Sequence, residues 1–590
     1  MEFQELAAQL ASIESEDSRL AKTWHTAELL RRANDDELPV LLIFLQSKVF
    51  PPYDDRDVGL ASKSVAKALA KATGHPENEV VSAWKERGDL GLVAEDLTEN
   101  RQQQTLFSTS YDVEDVYDTF VDVAEAEGDG SESHKFDLYG KLITQMDGIE
   151  ARYATRLAVQ DLRVGIGEGT IRDAIAWAFL DEAKPNYDED HHSINPSNRE
   201  DYEAAIEAVQ SGIDKTNDFA YVADKAKEGL QALQVITITP GKPVKVMLAQ
   251  RSKTLDDAFD TVGRPAAFEY KYDGMRMQIH YDNSVHIFTR SLEDVTDQFP
   301  EVKEYVEEHV LESEQFRDLS GEGNPSFVLD AEAVSYNAET KEYEPFQTIS
   351  QRIKRKYNIE EHRRKHPVEV NVFDILYLDG EEYVDESYED RRELIESIID
   401  AEQYRMRLAD QHVTDENEEA QSFFTEATER GNEGLIVKNL DGQYKPGSRV
   451  GYMLKYKATM DDLDLVIVGA EWGEGKRSGW LTSYKVACRD GDDYKTVGRV
   501  ATGLKEKPEE GLSFGEMTEL LEPLVVEEDG REVTVSPDVV ITVRFEEIQE
   551  SPDYGAGYAL RFPRVINLRD DRSPENATTK EEIKNMYDNQ

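Results

Sequence analysis

The sequence predicts a multidomain fold in three parts: an all-α N-terminal region, an α+β central region and a small C-terminal β-barrel. Three observations support this prediction. A chain of 590 residues is too long for one hydrophobic core. Apolar residues recur at helical spacing up to about residue 235, and short apolar strands mixed with helices follow. From about Asp461 onward, short runs alternate between apolar and polar residues, with Gly-Asp turns between them.

The domain boundaries follow from these changes of pattern. We expect a helical domain at residues 1–235, a central domain at 236–457 and a β domain at 458–590. Residues 236–243 read as a linker because threonine, proline and glycine cluster there. Within the first domain, three- and four-residue spacing predicts helices at residues 3–13, 26–33, 62–73 and 113–127.

The composition indicates a globular, strongly acidic protein. The chain has 122 acidic and 67 basic residues, a net charge of −55, and the acids are spread through every segment. This spread excludes a local acidic tail, and it favours adaptation to high salt over an ordinary solvated acidic surface. The one cysteine, Cys488, excludes an internal disulfide and a cysteine-rich zinc site. No signal peptide and no membrane-length apolar run is evident, so we expect a cytoplasmic protein without a membrane partner.

The most informative stretch of the central region surrounds Lys271. At a strand's period of two, Glu269, Lys271 and Asp273 share one face, and Gly274 permits a turn that leads to Arg276. A lysine amine is a nucleophile only when deprotonated, so neighbouring charges or burial must lower its pKa. An ordinary surface strand with alternating charges would have the same short pattern, so its weight depends on residues downstream.

Several downstream strands carry polar groups suited to nucleotide chemistry. Residues 327–336 place Glu332 on a face with another carboxylate, as a divalent cation or a sugar hydroxyl requires. Residues 453–457 place Lys455 and Lys457 side by side, which favours a phosphate between them. Phe373 lies in an apolar strand, where it either stacks on a base or packs in the core. The chain has no Walker phosphate loop, so phosphates must be bound by lysines and arginines.

A basic segment stands out in the helical domain. Its members are the arginines and loop glycines Arg152, Arg156, Arg163, Gly165 and Gly167. A glycine-rich loop that opens onto a helix offers backbone N–H groups to a phosphate, so this segment is a candidate for binding a DNA backbone. The alternative is an interhelical turn with solvent-facing arginines.

A second candidate interaction site lies at Gln103, Leu106 and Phe107. A glutamine followed at +3 and +4 by large apolar residues can fill a pocket of a partner protein. The alternative is a loop whose two apolar side chains pack inward. A similar run at residues 421–424 lies in an amphipathic helix, where we expect the aromatic pair to face the core.

Taken in chain order, these motifs resemble the nucleotidyltransferases that join nucleic-acid ends. The full set resembles ATP-dependent DNA ligases of the archaeal and eukaryotic replicative type, over nearly the whole chain. The resemblance implies that Lys271 becomes adenylylated and that Glu332 and Glu433 bind a metal ion. It also implies nucleotide contacts from Glu269, Arg276, Arg290, Glu332, Phe373, Arg449, Lys455, Lys457, Arg561 and Arg564.

The resemblance further implies the domains, cofactors and partners. The three domains would be a DNA-binding domain, an adenylation domain and an OB-fold, and the cofactors ATP and Mg²⁺. The partners would be nicked double-stranded DNA and a sliding clamp, the latter bound through Gln103, Leu106 and Phe107. Leu106 stands where an aromatic residue is usual in such ligases. We also expect a monomer and, from the acidic composition, a halophilic archaeal source.

Three other readings are weaker. An RNA ligase or a capping-type nucleotidyltransferase shares the lysine chemistry but does not explain the long helical N-terminal domain. A bacterial-type NAD-dependent ligase would need zinc-binding cysteines that this chain lacks. A non-catalytic scaffold bound to a clamp would not need Lys271, Lys455 and Arg561 together.

Overall fold

The computed structural model describes residues 1–51, 53–54, 56–99, 110–126, 130–320, 325–344, 346–353, 358–447, 451–457, 462–491, 493–508 and 511–588. The candidate clamp residues Gln103, Leu106 and Phe107 and the candidate nucleotide contact Arg449 lie outside these ranges. Among the described residues, every helix is too short or too polar to cross a lipid bilayer.

The chain divides into two compact units, each assembled from separate segments. The first unit comprises Met1–Ala8, Val58–Leu162 and Thr459–Gln590. The second comprises Gln9–Asp57 and Arg163–Ala458. The helical N-terminal region therefore contributes to both units, and the central region belongs entirely to the second.

Over the residues that the structure describes, the N-terminal region consists of helices joined by turns and isolated bridges. Its helices are α1 (Phe3–Ser15), α2 (Arg19–Arg32), α3 (Glu37–Leu45), α4 (Ser62–Thr73), α5 (Glu77–Arg87), α6 (Leu90–Glu99), α7 (Val113–Glu125), α8 (Ser131–Gln145), α9 (Gly148–Ala158), α10 (Glu168–Phe179), α11 (Arg199–Thr216), α12 (Phe219–Glu228) and α13 (Leu230–Gln234). The helices predicted from apolar spacing are confirmed as α1, α2, α4 and α7.

Local sequence explains where several of these helices begin and end. The Asp112 carboxylate caps α7 by accepting a hydrogen bond from the Asp115 backbone N–H. The Asp115 carboxylate accepts one from the Asp112 backbone N–H, and the two bonds form a capping box. Gly74 ends α4 in the left-handed conformation, at φ 76°, which glycine adopts without strain. Such signals are local, which is why the helical domain is readable from sequence.

The central region alternates strands with helices. Its strands are β1 (Gln250–Arg251), β2 (Ala266–Lys271), β3 (Met275–Asp282), β4 (Val285–Phe288), β5 (Ser326–Ser335), β6 (Val368–Leu378), β7 (Glu381–Glu382), β8 (Met406–Leu408), β9 (Gln411–Thr414), β10 (Gly434–Asn439) and β11 (Met453–Lys457). Its helices are α14 (Leu255–Val262), α15 (Pro300–Val306), α16 (Glu314–Ser320), α17 (Phe346–Ile353), α18 (Ile359–Lys365), α19 (Tyr388–Ile398) and α20 (Asn417–Glu429), and α15 continues into a π-helical segment, Glu307–Leu311.

These strands form two sheets. The first sheet has the order β1-β11-β10-β2-β9, and the second has the order β4-β3-β5-β6-β7 with β8 paired to β6. The back of the first sheet is apolar, with Phe268 and Tyr270 buried against Phe259 of α14 and against α20. Phe423 of α20 stacks on Tyr270 at 4.7 Å between ring centroids, as expected for an aromatic pair that faces the core. This packing holds β2, whose last residue is the candidate nucleophile Lys271, against the two helices.

The C-terminal region is a β domain. Its strands are β12 (Leu463–Trp472), β13 (Leu481–Asp490), β14 (Asp493–Val500), β15 (Val525–Asp529), β16 (Glu532–Val535), β17 (Val540–Arg544), β18 (Glu547–Glu550), β19 (Tyr558–Arg561) and β20 (Arg564–Leu568), and its helices are α21 (Phe514–Leu521) and α22 (Lys580–Asp588). The main sheet runs β14-β13-β12-β16-β15, with β17 joining β12 to β20, and β18 pairs with β19. Among the described residues no pairing joins its ends into a closed barrel.

Candidate functional site

Lys271 is the last residue of β2 and faces the same side of the sheet as Lys457. In the antiparallel register, Lys271 lies opposite Gly434 of β10, and Gly434 lies opposite Lys457 of β11. Residues directly opposite each other on neighbouring strands project to the same face. Because glycine has no side chain, nothing on β10 separates the two lysines at this level of the sheet.

Glu433 binds both lysines. Its carboxylate forms ion pairs with Lys271 Nζ and Lys457 Nζ, and its backbone N–H donates to the Lys271 carbonyl at 2.9 Å. Burial raises the pKa of Glu433, but the two ammonium groups outweigh burial and lower the pKa to about 2. Glu433 is therefore ionised at any physiological pH. Two lysines side by side at the end of one sheet suit a phosphate group.

Two glycines permit the close approaches around this cluster. A Cβ on Gly274, in the turn after β2, would lie 2.5 Å from the Ala333 carbonyl oxygen. Gly434 has φ 143°, and a Cβ there would lie 2.2 Å from the Tyr456 carbonyl oxygen. Any side chain at either position would push strands apart. The glycines thus keep Lys271 close to β5 and β11.

Arg276 anchors the second sheet's contribution to the site. It forms an ion pair with the buried Asp330 and donates to the Tyr444 hydroxyl at 3.0 Å. Burial opposes its charge, yet Asp330 and Tyr444 raise the pKa of Arg276 above the usual value. Its guanidinium carbon lies 5.1 Å from the centroid of the Phe373 ring. Arg276 is therefore permanently charged and held beside an aromatic face.

Glu332 of β5 lies beside Arg276 and in a different electrostatic environment from Glu433. In the register of the second sheet, Glu332 is opposite Arg276 on one side and Asn371 on the other. Burial raises its pKa to about 7, and Lys271 and Arg276 only partly offset this. A carboxyl group near half-protonation at neutral pH is one that a further cation would convert fully to the carboxylate.

Glu269 lies one row deeper in the first sheet than Lys271. It is 3% exposed, and its Oε2 lies 2.7 Å from Lys438 Nζ. Its Oε1 accepts a hydrogen bond from the Tyr388 hydroxyl, and an Arg392 nitrogen lies 3.6 Å away. The buried carboxylate is thus neutralised by nearby cations and retains further lone pairs for a ligand.

Lys438 is a site residue that the sequence analysis missed. It is 4% exposed, and its ammonium lies 4.9 Å from the Phe373 ring centroid and 4.3 Å from that of Tyr388. The signal was present in the sequence, because Gly434, Ile436 and Lys438 alternate with apolar Leu435 and Val437. The period-two pattern therefore places Lys438 on the same face as Lys271's opposite partner, Gly434.

A partly open cavity lies beside these groups. It is lined by aromatic and aliphatic side chains together with cations, including Met247, Arg276, Phe373, Tyr388, Lys438, Tyr444 and Met453. Flat apolar walls with a few fixed polar groups suit a planar heteroaromatic ring. Along β2 and β10, the arrangement runs from a cationic row at Lys271 to an aromatic cavity at Lys438, the order in which a nucleotide presents phosphate and base.

Of the remaining predicted nucleotide contacts, Lys455 lies in the same row of the first sheet as Glu269, and the other described ones lie elsewhere in the fold. Lys455 of β11 faces Ile436 and Arg251 in the first sheet. Arg290 is exposed in the turn after β4. Arg561 and Arg564 belong to the other compact unit, where Arg561 pairs with Glu547 at 3.2 Å and Arg564 is exposed at the start of β20.

The predicted DNA-binding residues are divided between the two units. Arg152 and Arg156 lie on α9 in the first unit, whereas Arg163, Gly165 and Gly167 precede α10 in the second. Arg152 donates to Glu95 at 2.6 Å and is 19% exposed. Arg156 is 2% exposed, and its guanidinium lies 2.7 Å from Asp89. The guanidinium of Arg156 therefore serves the packing of the helices and does not reach the surface.

Comparison with known families identifies the chain. Residues 2–176 match the family model described as "DNA ligase N terminus", residues 246–457 match "ATP dependent DNA ligase domain", and residues 477–572 match "ATP dependent DNA ligase C terminal region". The three matches cover most of the chain in order. The protein belongs to the ATP-dependent DNA ligase family, in its archaeal type.

Curated relatives agree over their full length. A DNA ligase of Nanoarchaeum equitans is 42% identical, with 100% of this chain and 99% of the relative covered. One of Thermococcus fumicolans is 39% identical, covering 100% and 98%, and one of Methanopyrus kandleri is 39% identical, covering 100% and 99%. The protein is accordingly an enzyme that seals 5′-phosphate/3′-hydroxyl nicks in duplex DNA with ATP, through a covalent lysyl-AMP intermediate.

Solved structures support the three-domain architecture. The structure titled "Pmar-Lig_PreS3" aligns with a TM-score of 0.56 at 15% identity, over 95% of this chain and 99% of that one. The structure titled "Pmar-Lig_Pre." gives 0.57 at 15% identity, over 96% and 99%. At this identity the likeness concerns the fold alone: a helical N-terminal domain, a central adenylation domain and a C-terminal β domain.

Proposed function

We propose that Lys271 is the residue adenylylated by this ligase. The observation that carries the proposal is the shared carboxylate: Lys271 and Lys457 both bind Glu433 at the end of the sheet that leads to the aromatic cavity. The contact with Glu433 fixes the Lys271 side chain at the end of β2. The second lysine remains as a cation for the phosphates.

The ligation reaction then comprises three phosphoryl transfers. In the first, Lys271 Nζ forms a bond to the α-phosphorus of ATP, the bond from that phosphorus to pyrophosphate breaks, and the amine loses a proton. In the second, a 5′-phosphate oxygen of the nick displaces Lys271 from AMP. In the third, the 3′-hydroxyl attacks the activated 5′-phosphorus, and AMP leaves. These steps depend on positioning and on charge neutralisation.

We divide the proposed nucleotide contacts between the base end and the phosphate end of the site. We assign the base to the cavity, stacked on Phe373, with Glu269 accepting from the adenine amino group and Lys438 donating to a ring nitrogen. Arg276 lies where it can bind the ribose or the α-phosphate. Lys455 and Lys457 hold phosphates from β11. The remaining proposed contacts are assigned from their positions in the sequence, and they are Arg290, Arg449, Arg561 and Arg564.

Glu332 and Glu433 are the residues we propose to hold Mg²⁺. Carboxylate oxygens are the ligands that this cation prefers. The raised pKa of Glu332, about 7, fits a group that lacks enough positive charge around it. When bound, Mg²⁺ would neutralise phosphate charge near Lys271. Glu433 would then exchange part of its lysine contacts for the ion.

The interactions with DNA and with a sliding clamp remain proposals from the sequence. We propose that Arg152, Arg163, Gly165 and Gly167 contact the DNA backbone, and we assign Arg156 to the fold because it is buried. We propose a clamp contact through Gln103, Leu106 and Phe107. The double variant L106A/F107A should lose clamp binding and keep clamp-independent sealing. Loss of folding in that variant would show that the two side chains pack inward.

The remaining proposals concern the domain boundaries, the fold of the C-terminal domain and the cellular setting. Boundaries at 235 and 457 are supported by the central family match at residues 246–457. We propose an OB-fold for the C-terminal domain, a monomeric enzyme and a cytoplasmic location, the last because chromosomal DNA is the substrate and the chain has one cysteine. A net charge of −55 supports a halophilic source. Full sealing activity at low salt, with collapse in molar KCl, would refute that last point.

The proposed nucleotide specificity has a direct test. A nicked duplex is incubated with the protein and with ATP, GTP or NAD supplied singly, and sealing is measured on a denaturing gel. We expect sealing with ATP alone. Sealing with GTP would contradict the assignment of Glu269 to the adenine amino group, and sealing with NAD would contradict the family assignment of the adenylylation step.

A further inference from the structure

Tyr388 occupies a central place at the base end of the site. It is the first residue of α19, is 2% exposed and lines the cavity. Its hydroxyl donates to Glu269 Oε1 and accepts a hydrogen bond from Gln411 Nε2 at 2.7 Å. Gln411 lies directly opposite Glu269 in the β2–β9 register. The three side chains therefore form a hydrogen-bonded chain whose two ends are fixed on adjacent strands.

The direction of the hydrogen bonds in this chain is defined. Burial raises the pKa of Tyr388 well above the usual value, so its hydroxyl keeps its proton and acts as the donor to Glu269. The Gln411 amide, as a donor, occupies the lone pair on the other side of the hydroxyl oxygen. Reversal of the chain is excluded because an ionised carboxylate cannot donate.

The cations around Glu269 neutralise its charge and do not fix its orientation. Lys438 and Arg392 lie 2.7 Å and 3.6 Å from its oxygens and neutralise its charge. An ammonium on a flexible side chain follows a carboxylate as it rotates, because its three donors are equivalent. A phenol on a helix that is packed in the core does not move in this way. Charge balance and orientation are thus supplied by different residues.

We propose that Tyr388 is a positioning residue for base selection: it holds the Glu269 carboxylate in the orientation that accepts a hydrogen bond from the adenine 6-amino group. This inference rests on the proposed role of Glu269. A guanine would present its 6-keto oxygen to the same carboxylate, and two acceptors repel. Selection of ATP by this chain therefore depends on a tyrosine that does not take part in the chemistry.

The test compares two nucleotides that differ only at the 6-position. Formation of the lysyl adduct is measured with ATP and with purine riboside triphosphate, which carries hydrogen in place of the amino group. In Tyr388→Phe we expect the KM for ATP to rise about tenfold, the effect of one hydrogen bond to a charged group. The KM for purine riboside triphosphate and both kcat values should stay within about twofold of wild type, because only binding of the amino group has changed.

Three variants separate the possible outcomes. Tyr484→Phe removes an equally buried hydroxyl, which donates to the Leu481 carbonyl in the other unit, and should leave both KM values unchanged. Glu269→Gln should abolish the preference for ATP. If it does not, the proposed role of Glu269 fails. If Glu269→Gln loses the preference while folded Tyr388→Phe keeps it, the positioning role alone is overturned. Should Tyr388→Phe not fold, Gln411→Leu decides: an unchanged KM ratio between the two nucleotides overturns the proposal.

Discussion

Two buried carboxylates of this ligase are held by basic side chains in different ways. Asp89, in the helical region, accepts from Arg156 Nε at 3.1 Å and Nη2 at 2.7 Å, and the two side chains are 6% and 2% exposed. Glu433, in the central region, is shared by Lys271 and Lys457, which are 21% and 16% exposed. One pair matches one cation to one carboxylate. The other cluster places two lysines on one carboxylate and is partly exposed.

The difference separates a structural ion pair from a reactive cluster. A guanidinium is always charged, and two donors of Arg156 converge on one oxygen of Asp89, so the Arg156–Asp89 pair is fixed and neutral. An ammonium can lose its proton, and two of them side by side suit a phosphate. The same residue classes, basic and acidic, thus give a structural ion pair in one region and, in our proposal, phosphoryl-transfer chemistry in the other.

The largest effect should come from removing the proposed nucleophile. Lys271→Ala should abolish all sealing that starts from ATP, and Lys271→Arg should do the same because a guanidinium does not deprotonate to attack. Both are checked by gel assay of a nicked duplex. The control is closure of a nick that already carries 5′-AMP, which needs no free lysine amine and should be retained in part. Normal sealing from ATP by either variant would show that Lys271 is not the nucleophile.

Breaking the structural pair should cost stability and leave the chemistry of the site unchanged. Arg156→Met leaves Asp89 buried without its guanidinium, which should lower the free energy of unfolding by about 3–5 kcal/mol. Denaturant titration measures this change. Arg199→Met removes a solvent-exposed partner of Glu203 and serves as the control, with no resolvable effect expected. The rate of lysyl-AMP formation by the folded fraction of Arg156→Met should equal that of wild type.

Removing the second lysine of this cluster should slow the first chemical step. Lys457→Ala leaves Lys271 paired with Glu433 but takes away a phosphate-binding charge, so lysyl-AMP formation should slow about a hundredfold. Single-turnover labelling with α-labelled ATP measures the rate. Lys365→Ala, on an exposed turn of α18 paired with Glu361, is the matched control. A rate within threefold of wild type for Lys457→Ala would mean that the second lysine is not functional.

Asp214 is a third carboxylate to set beside Asp89 and Glu433. We expect the smallest effect there, and that effect depends on pH. The Asp214 carboxylate accepts a hydrogen bond from Gln210 Nε2 at 2.8 Å, and the ammonium of Lys245 lies 3.8 Å away. Burial raises its pKa to about 6, and Lys245 and Gln210 only partly offset this. Between pH 4 and 6 the unfolded chain loses this proton while the folded chain keeps it, so stability falls as pH rises through that window.

Asp214→Asn should remove that part of the pH dependence. The unfolding free energy of wild type, relative to Asp214→Asn, should fall by about 2–3 kcal/mol from pH 4 to pH 6.5. Chemical denaturation at each pH gives the value, with Asp297→Asn, on an exposed side chain, as the control. A flat difference across this range would show that Asp214 is not the carboxylate that titrates there.

The sequence predicted features that depend on neighbours along the chain. The alternation around Lys271 predicted β2 and the turn at Gly274, because strand periodicity is local. Apolar spacing located the helices for the same reason. The catalytic motif could be recognised because its residues are closely spaced.

Features that depend on distant segments could not be predicted in this way. Arg156 was expected at a surface, but its partner Asp89 is 67 residues away and draws it inside. Strand periodicity places Lys438 on the same face as Gly434, but only the fold shows its contacts with Phe373 and Glu269. Resemblance to a family gave the role of Glu433, whereas its binding of two lysines 162 and 24 residues away is a property of the folded sheet. The clamp contact at Leu106 and Phe107 stays a prediction.

The central claim, that the open cluster at Glu433 holds the nucleophile, is tested most directly by locating the AMP. The purified protein is incubated with ATP in the absence of DNA and digested, and the adenylylated peptide is sequenced by tandem mass spectrometry. We predict a single phosphoramidate-linked AMP on Lys271. AMP on Lys455, Lys457 or any other residue would contradict the assignment and, with it, the proposed difference between the reactive cluster and the structural pair.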